Sequence, residues 1–165
     1  MDEFIDQLSQ NYPDLAFEAS NSFCWSPKHQ KILYDPKYDP TTGIWAILHE
    51  LGHATLGHLF YSSDFELVQL EAAAWREAQK LGRKYAVKID NDHIQNCLDT
   101  YRDWLHRRSK CPICGNVSLQ VSSSKYKCFN CHTEWGVSTS RFCRPYRQLE
   151  RLNKKSSNLS QTIFI

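Results

Sequence analysis

Apolar positions along the chain change their period several times, and each change marks an element. Phe4, Ile5 and Leu8 share one face of a 3.6-residue repeat and predict a short helix over residues 1–12. From Ser22 to Ser26 and from Lys31 to Asp35 the period drops to two. Phe23 and Trp25, then Ile32 and Tyr34, alternate with their neighbours on either side of Pro27-Lys28-His29-Gln30. That is the pattern of a β-hairpin, with Leu15 to Glu18 as a third strand. Asp35-Pro36 and Asp39-Pro40 interrupt it, after which Thr41 or Thr42 is placed to cap a helix running to about Phe60. Turn composition at Tyr61-Ser62-Ser63-Asp64 precedes a second long helix, from about Phe65 to Tyr85. A third follows Asp90 to Asp92, from His93 to about Arg107, with Ile94, Cys97, Leu98, Tyr101 and Leu105 at helical spacing. Arg107-Arg108-Ser109-Lys110 reads as a linker into a Cys-rich segment. Beyond about Trp135 a basic tail follows, in which Asn153 to Gln161 has the composition of disorder.

At 165 residues the chain has room for one domain with a real core and one small appendage. Mean hydropathy is −0.56, and charge or proline interrupts every apolar stretch, which excludes a membrane span. The start, Met1-Asp2-Glu3-Phe4-Ile5-Asp6, is acidic where a secretory leader is basic and then apolar, so a cytoplasmic location is expected. Residues 1–100 carry 8 Lys/Arg against 15 Asp/Glu, and residues 101–165 carry 12 against 3, so the two parts are expected to meet different partners. Four of the seven cysteines fall into two C-x-x-C pairs, a spacing that favours metal over disulfides where no export signal is seen.

Chemistry concentrates first in His49-Glu50-Leu51-Gly52-His53. A spacing of four residues stacks both imidazoles on one helix face, with Cβ atoms roughly 5–6 Å apart, where they can share one Zn²⁺. Glu50 points about 100° away around the axis and flanks the ion, placed to accept a proton from water held there. The third ligand follows from counting. With the turn centred near Ser62, His53 lies nine residues before it and Glu71 nine after, so the two stand level in an antiparallel helix pair. Ala74 and Ala78 make the face of Glu71 small-sided, and Trp75 is placed to wall the site. Asp64 and Glu66 sit too near the turn. His58, about 500° of rotation past His53 on a continuing helix, falls off the metal face and reads as a supporting or surface histidine.

The run HELGHATLGH followed by LEAAAWREA resembles the ImmA/IrrE family of bacterial and phage metallopeptidases, over roughly Ser22 to Tyr85. The resemblance implies zinc on His49, His53 and Glu71, Glu50 as catalytic base, a three-stranded sheet packed on the HExxH helix, and cleavage of a helix-turn-helix transcriptional repressor as a typical task. The metzincin pattern requires a histidine where this chain has Leu59 and is excluded. Two alternatives stand beside this one. A SprT-like protease also joins HExxH to a C-terminal zinc ribbon and acts on DNA-bound protein, but takes its third ligand from a later histidine. A non-catalytic, zinc-stabilised regulatory binding protein would have no use for Glu50. Tyr61, His29 and Arg76 are unranked candidates for polarising the scissile carbonyl.

The second constellation is Cys111-Pro112-Ile113-Cys114 with Cys128-Phe129-Asn130-Cys131. Two such knuckles complete a closed, tetrahedral, structural zinc site, and Val117 to Lys127, with Val117, Leu119 and Val121 alternating, supplies the hairpin of a zinc ribbon. His132 and Cys143 are weaker competitors for the metal, while Cys24 and Cys97 read as core thiols. Lys125, Lys127, Arg141, Arg144, Arg147, Arg151, Lys154 and Lys155 interleave with Tyr126, Phe129, Trp135, Phe142 and Tyr146. Basic groups among stacking rings suit nucleic acid, and the basic surface equally suits an acidic protein. The expected fold is α+β: a small antiparallel sheet on a zincin-like helical core over 1–108, a four-cysteine zinc ribbon over 109–140 and a basic, partly disordered tail over 141–165. The expected activity is that of a zinc metalloendopeptidase with two Zn²⁺ ions, acting on a protein substrate, with no membrane partner.

Overall fold

A computed structural model describes residues 1–138 and 147–149. Four α-helices and two small sheets make it an α+β protein. The chain divides into two compact units, Met1–Arg107 and a second beginning at Arg108.

In the first unit, α1 (Asp2–Asn11) buries Ile5 and Leu8. Strands β1 (Ala16–Ala19), β2 (Cys24–Ser26) and β3 (Lys31–Tyr34) form a sheet in the order β1-β3-β2. The hairpin expectation holds for β2 and β3, which run antiparallel with Trp25 opposite Ile32. The all-antiparallel sheet does not: β1 pairs parallel to β3, Phe17 opposite Ile32, and the sheet is mixed. Alternation fixes which face a side chain takes and says nothing of strand direction. The strand with the fully buried Ile32 takes the centre, and the other two flank it.

Helix α2 (Pro40–Thr55) is capped by Asp39, not by Thr41 or Thr42. The Asp39 carboxylate accepts from the Thr42 N–H at 2.9 Å and from its hydroxyl at 2.8 Å, with Pro40 in the first turn. The helix also ends five residues short of Phe60. Gly57 takes φ +66°, its N–H bonds the Ala54 carbonyl at 3.1 Å, and the His58 N–H bonds the His53 carbonyl at 3.0 Å. This six-to-one and five-to-two pair is a Schellman ending, which a left-handed glycine makes inexpensive.

Helix α3 (Asp64–Lys84) starts on Ser63, whose hydroxyl accepts from the Glu66 N–H. It packs on α2 at backbone distance: a Cβ on Gly52 would stand 2.6 Å from the Ala74 carbonyl oxygen. Ile32, Ile47, Leu48, Leu51, Trp75, Ala78, Leu81, Ile94 and Leu98 share the core, the last two from α4 (Asn91–Ser109). Cys97 packs against this core as expected, whereas Cys24 is exposed, because its neighbour Trp25 takes the core-facing position of β2.

The second unit holds β4 (Leu119–Ser122), β5 (Lys125–Lys127), β6 (Glu134–Val137) and β7 (Arg147–Leu149), antiparallel in that order. The linker expected at residues 107–110 is instead structured. Arg108 and Ser109 end α4 and are buried; the Arg108 guanidinium donates to the Ser138 carbonyl, and the Arg108 carbonyl accepts from the Trp135 indole at 2.9 Å. A basic run reads as solvated until its hydrogen-bond partners are known. The tail expected over 141–165, with Arg141, Arg144, Arg151, Lys154, Lys155, Phe142, Cys143 and Tyr146, lies outside the described residues except for Arg147–Leu149. Among the described residues no helix is long and apolar enough to cross a membrane.

Candidate metal centres

Helix α2 carries His49 and His53 one turn apart, and α3 brings Glu71 against both. As the α2 position falls from 53 through 52 to 49, its partner on α3 rises from 71 through 74 to 75, the signature of an antiparallel pair. His49 Nε2 lies 3.1 Å from Glu71 Oε2, His53 Nε2 lies 3.2 Å from His49 Nε2, and His53 Nε2 lies 3.6 Å from Glu71 Oε1. Donors held tetrahedrally about 2.0–2.1 Å from a common ion stand about 3.3–3.4 Å apart, close to the 3.1 and 3.2 Å separations that share His49 Nε2, while His53 is near the second carboxylate oxygen. Two bare imidazole nitrogens this close repel unless a proton or cation lies between them. The three residues thus form a group able to hold a metal ion.

The surroundings favour the charged carboxylate. Burial pushes the Glu71 carboxyl up, but hydrogen bonds from His49 and His53 outweigh it and hold the group at about 2. Trp75 stacks on His49 with ring centroids 4.2 Å apart, walling the donors as its spacing suggested. His49 Nδ1 is buried without a hydrogen-bond partner among the described residues.

Glu50 is not among the three converging donors. Its Oε2 accepts the Trp25 backbone N–H from β2 at 2.7 Å, and the Trp25 indole donates to the His58 carbonyl at 3.0 Å. His58 itself returns to the site. Because α2 stops at Thr55, the rotation count for a continuing helix does not apply, and His58 Nδ1 comes to 2.9 Å from His53 Nδ1. Burial, and next the His53 ring, hold the pKa of His58 below its ordinary value. The sequence signal for this return is Gly57, whose positive φ ends the helix before Phe60. Asp64 and Glu66 stand apart: Glu66 is engaged by Ser62, and Asp64 is buried in the first turn of α3. His29, Tyr61 and Arg76 are exposed, and none enters the hydrogen-bonded set around the donors.

In the second unit Cys111, Cys114, Cys128 and Cys131 converge, with their sulfurs within 4.8 Å of one another, and form a second group able to hold a metal ion. Cys114 and Cys128 are 3.4 Å apart and Cys111 and Cys131 3.6 Å, beyond any S–S bond and near the roughly 3.8 Å edge of a tetrahedral four-thiolate site. The two knuckles repeat one backbone design. The Cys111 carbonyl accepts from Gly115 N–H at 3.0 Å and the Cys128 carbonyl from His132 N–H at 3.0 Å. Gly115 and His132 both have positive φ, so His132 fills the turn position that glycine fills in the first knuckle, and its ring is not among the converging donors. The Cys131 N–H holds the Cys128 thiol down at about 6, and the Thr133 hydroxyl lowers that of Cys131. Both shifts favour the thiolate that a metal needs.

Tyr126 and Trp135, expected as stacking rings for bases, are interior: they are 1% and 0% exposed and stack on each other at 5.7 Å. Alternation along β5 and β6 turns them toward the thiols. The described surface of this unit instead exposes Ile113, Val117, Leu119, Val121 and Phe129. No protein-family model, curated protein or solved structure matches the chain.

Proposed function

We propose that the chain is a zinc-dependent endopeptidase of the ImmA/IrrE type, with His49, His53 and Glu71 as ligands of a catalytic zinc ion and Glu50 as general base. A second, structural zinc belongs to the four cysteines. One observation carries the reading: two Nε2 atoms and the Glu71 carboxylate converge, with His49 Nε2 3.1 Å from Oε2, His53 Nε2 3.6 Å from Oε1 and the two nitrogens 3.2 Å apart. Three protein donors leave a tetrahedral ion one position for water or substrate, whereas four thiolates close theirs. A bound Zn²⁺ supplies Lewis acidity to the scissile carbonyl and brings the pKa of a water to about 7.

The rest is the work of the chain. Glu50 follows His49 by one residue, so it flanks the donors without joining them. With Oε2 held by the Trp25 N–H at 2.7 Å, Oε1 takes a proton from the attacking water and returns it to the departing amine. Trp75 and the buried faces of α2 and α3 exclude bulk water behind the donors. A binding protein with a purely structural metal has no use for a base beside an open position. The SprT-like alternative needs a histidine as third donor; here the donor beside both imidazoles is Glu71, and His58 meets the outer nitrogen of His53. The substrate class that the resemblance suggests is a helix-turn-helix repressor. Interior Tyr126 and Trp135, together with exposed Ile113, Val117, Leu119 and Val121, support a protein over nucleic acid as the partner of the second unit.

The test is Glu50→Gln, assayed on casein and on any helix-turn-helix repressor encoded beside the chain. Proteolysis should fall by at least about 100-fold, the scale of a lost general base, while metal content stays at two per chain. A wild type that cleaves nothing when fully loaded, or a variant as active as wild type, would sink the reading.

A further inference from the structure

His58 is half-buried while Leu56, Gly57, Leu59 and Phe60 around it are exposed. Three contacts account for that: its ring lies 2.9 Å from His53, its N–H bonds the His53 carbonyl, and its carbonyl receives the Trp25 indole. In a Schellman ending the residue after the left-handed glycine packs back on the last turn of its helix, usually through an apolar pair. Here that pair is two imidazoles.

We propose that His58 is a positioning residue that fixes the tautomer and ring orientation of His53. This rests on the reading that His53 is a metal ligand. His53 Nε2 faces His49 Nε2 and Glu71, so it must keep its lone pair for the ion, and the ring proton must sit on Nδ1. That Nδ1–H donates to His58 Nδ1, which is therefore the bare nitrogen, with the His58 proton on Nε2. Trp25 completes the arrangement by holding the His58 backbone at 3.0 Å. His49 has no matching support, since its own Nδ1 is without a hydrogen-bond partner among the described residues. Hydrogen bonding to an outer ring nitrogen is thus supplied to the donor pair from the His53 side, while Trp75 stacks on His49.

Asparagine places an oxygen where His58 Nδ1 stands, and glutamine places one nearer the position of Nε2, so the two separate an acceptor at the right atom from a polar filler. Zinc affinity of the full chain is measured by chelator competition for wild type, His58→Asn, His58→Gln and His49→Ala. His49→Ala identifies which of the two binding steps belongs to the His/Glu site. That step should weaken about 10–100-fold in His58→Gln and stay near wild type in His58→Asn. A two-bond ¹H–¹⁵N imidazole spectrum of the zinc-loaded wild type should show Nδ1–H on His53 and Nε2–H on His58. Equal affinities in the Asn and Gln variants, whether both retained or both lost, or the opposite tautomers in the spectrum, would overturn the proposal while leaving His53 a ligand. If His49→Ala removes no binding step, the site itself falls, and the proposal with it.

Discussion

Gly57 occupies the left-handed region without penalty because it has no Cβ, and nothing lies within 4 Å of where one would be. The cost of Gly57→Ala is therefore conformational, about 1–2 kcal/mol, with no steric addition. Chemical denaturation should show this loss, and the Schellman bond that returns His58 to His53 should weaken with it. Glu71 makes a different residue-scale statement. Its folded pKa of about 2 lies below the ordinary 4.5, so in the metal-free chain it contributes stability that is complete above about pH 4.5 and is lost as pH falls toward 2. Acid titration of the metal-stripped protein, followed by circular dichroism, should show that loss, and Glu71→Gln should flatten the slope over that interval. A variant with the wild-type slope would assign the loss to another carboxylate.

Between α2 and α3 the critical contact is backbone on backbone, Gly52 against the Ala74 carbonyl. A methyl at position 52 would meet the Ala74 carbonyl at 2.6 Å, where nothing flexible can yield. Gly52→Ala must push the helices apart by a few tenths of an ångström or more, which widens the gap between His53 and Glu71. We expect a destabilisation of about 1–3 kcal/mol and weaker metal binding at the His/Glu site, read by thermal denaturation and chelator competition. How much of this was legible follows the physics. Counting nine residues either side of Ser62 placed Glu71 against His53 because antiparallel helices have a fixed rise per residue, and the two C-x-x-C spacings placed the four sulfurs together. Other features are not legible in the pattern, and three of them show why. The direction of β1 has no signature in a two-residue alternation. The end of α2 hung on Gly57, tolerable inside a helix and decisive only once His58 finds its acceptor. Tyr126 and Trp135 looked like a binding face because an aromatic among lysines has the same pattern whether it points out or in.

The two units differ in what holds them. The first has an aliphatic core of its own, drawn from α1, β3, α2, α3 and α4. Among the described residues the hydrophobic cluster of the second is Cys111, Tyr126, Cys128, Trp135 and Val137, and two of these five belong to the four-cysteine group able to hold a metal ion. If the four cysteines hold zinc as proposed, binding of the ion supplies folding energy that a cluster this small among the described residues does not. Stripping the protein with a strong chelator should therefore release amide-exchange protection across residues 108–138 while residues 1–107 keep theirs. Loss of protection in both units, or in neither, would show that this division of labour is wrong. The same cysteine-lined interior bears on survival in the cell. Copies short of metal would carry an unfolded stretch that housekeeping proteases can cut, while loaded copies would not, because an ion bound only by the folded form depletes the open one. The length of the surviving chain would then record the metal supply at the time it was made.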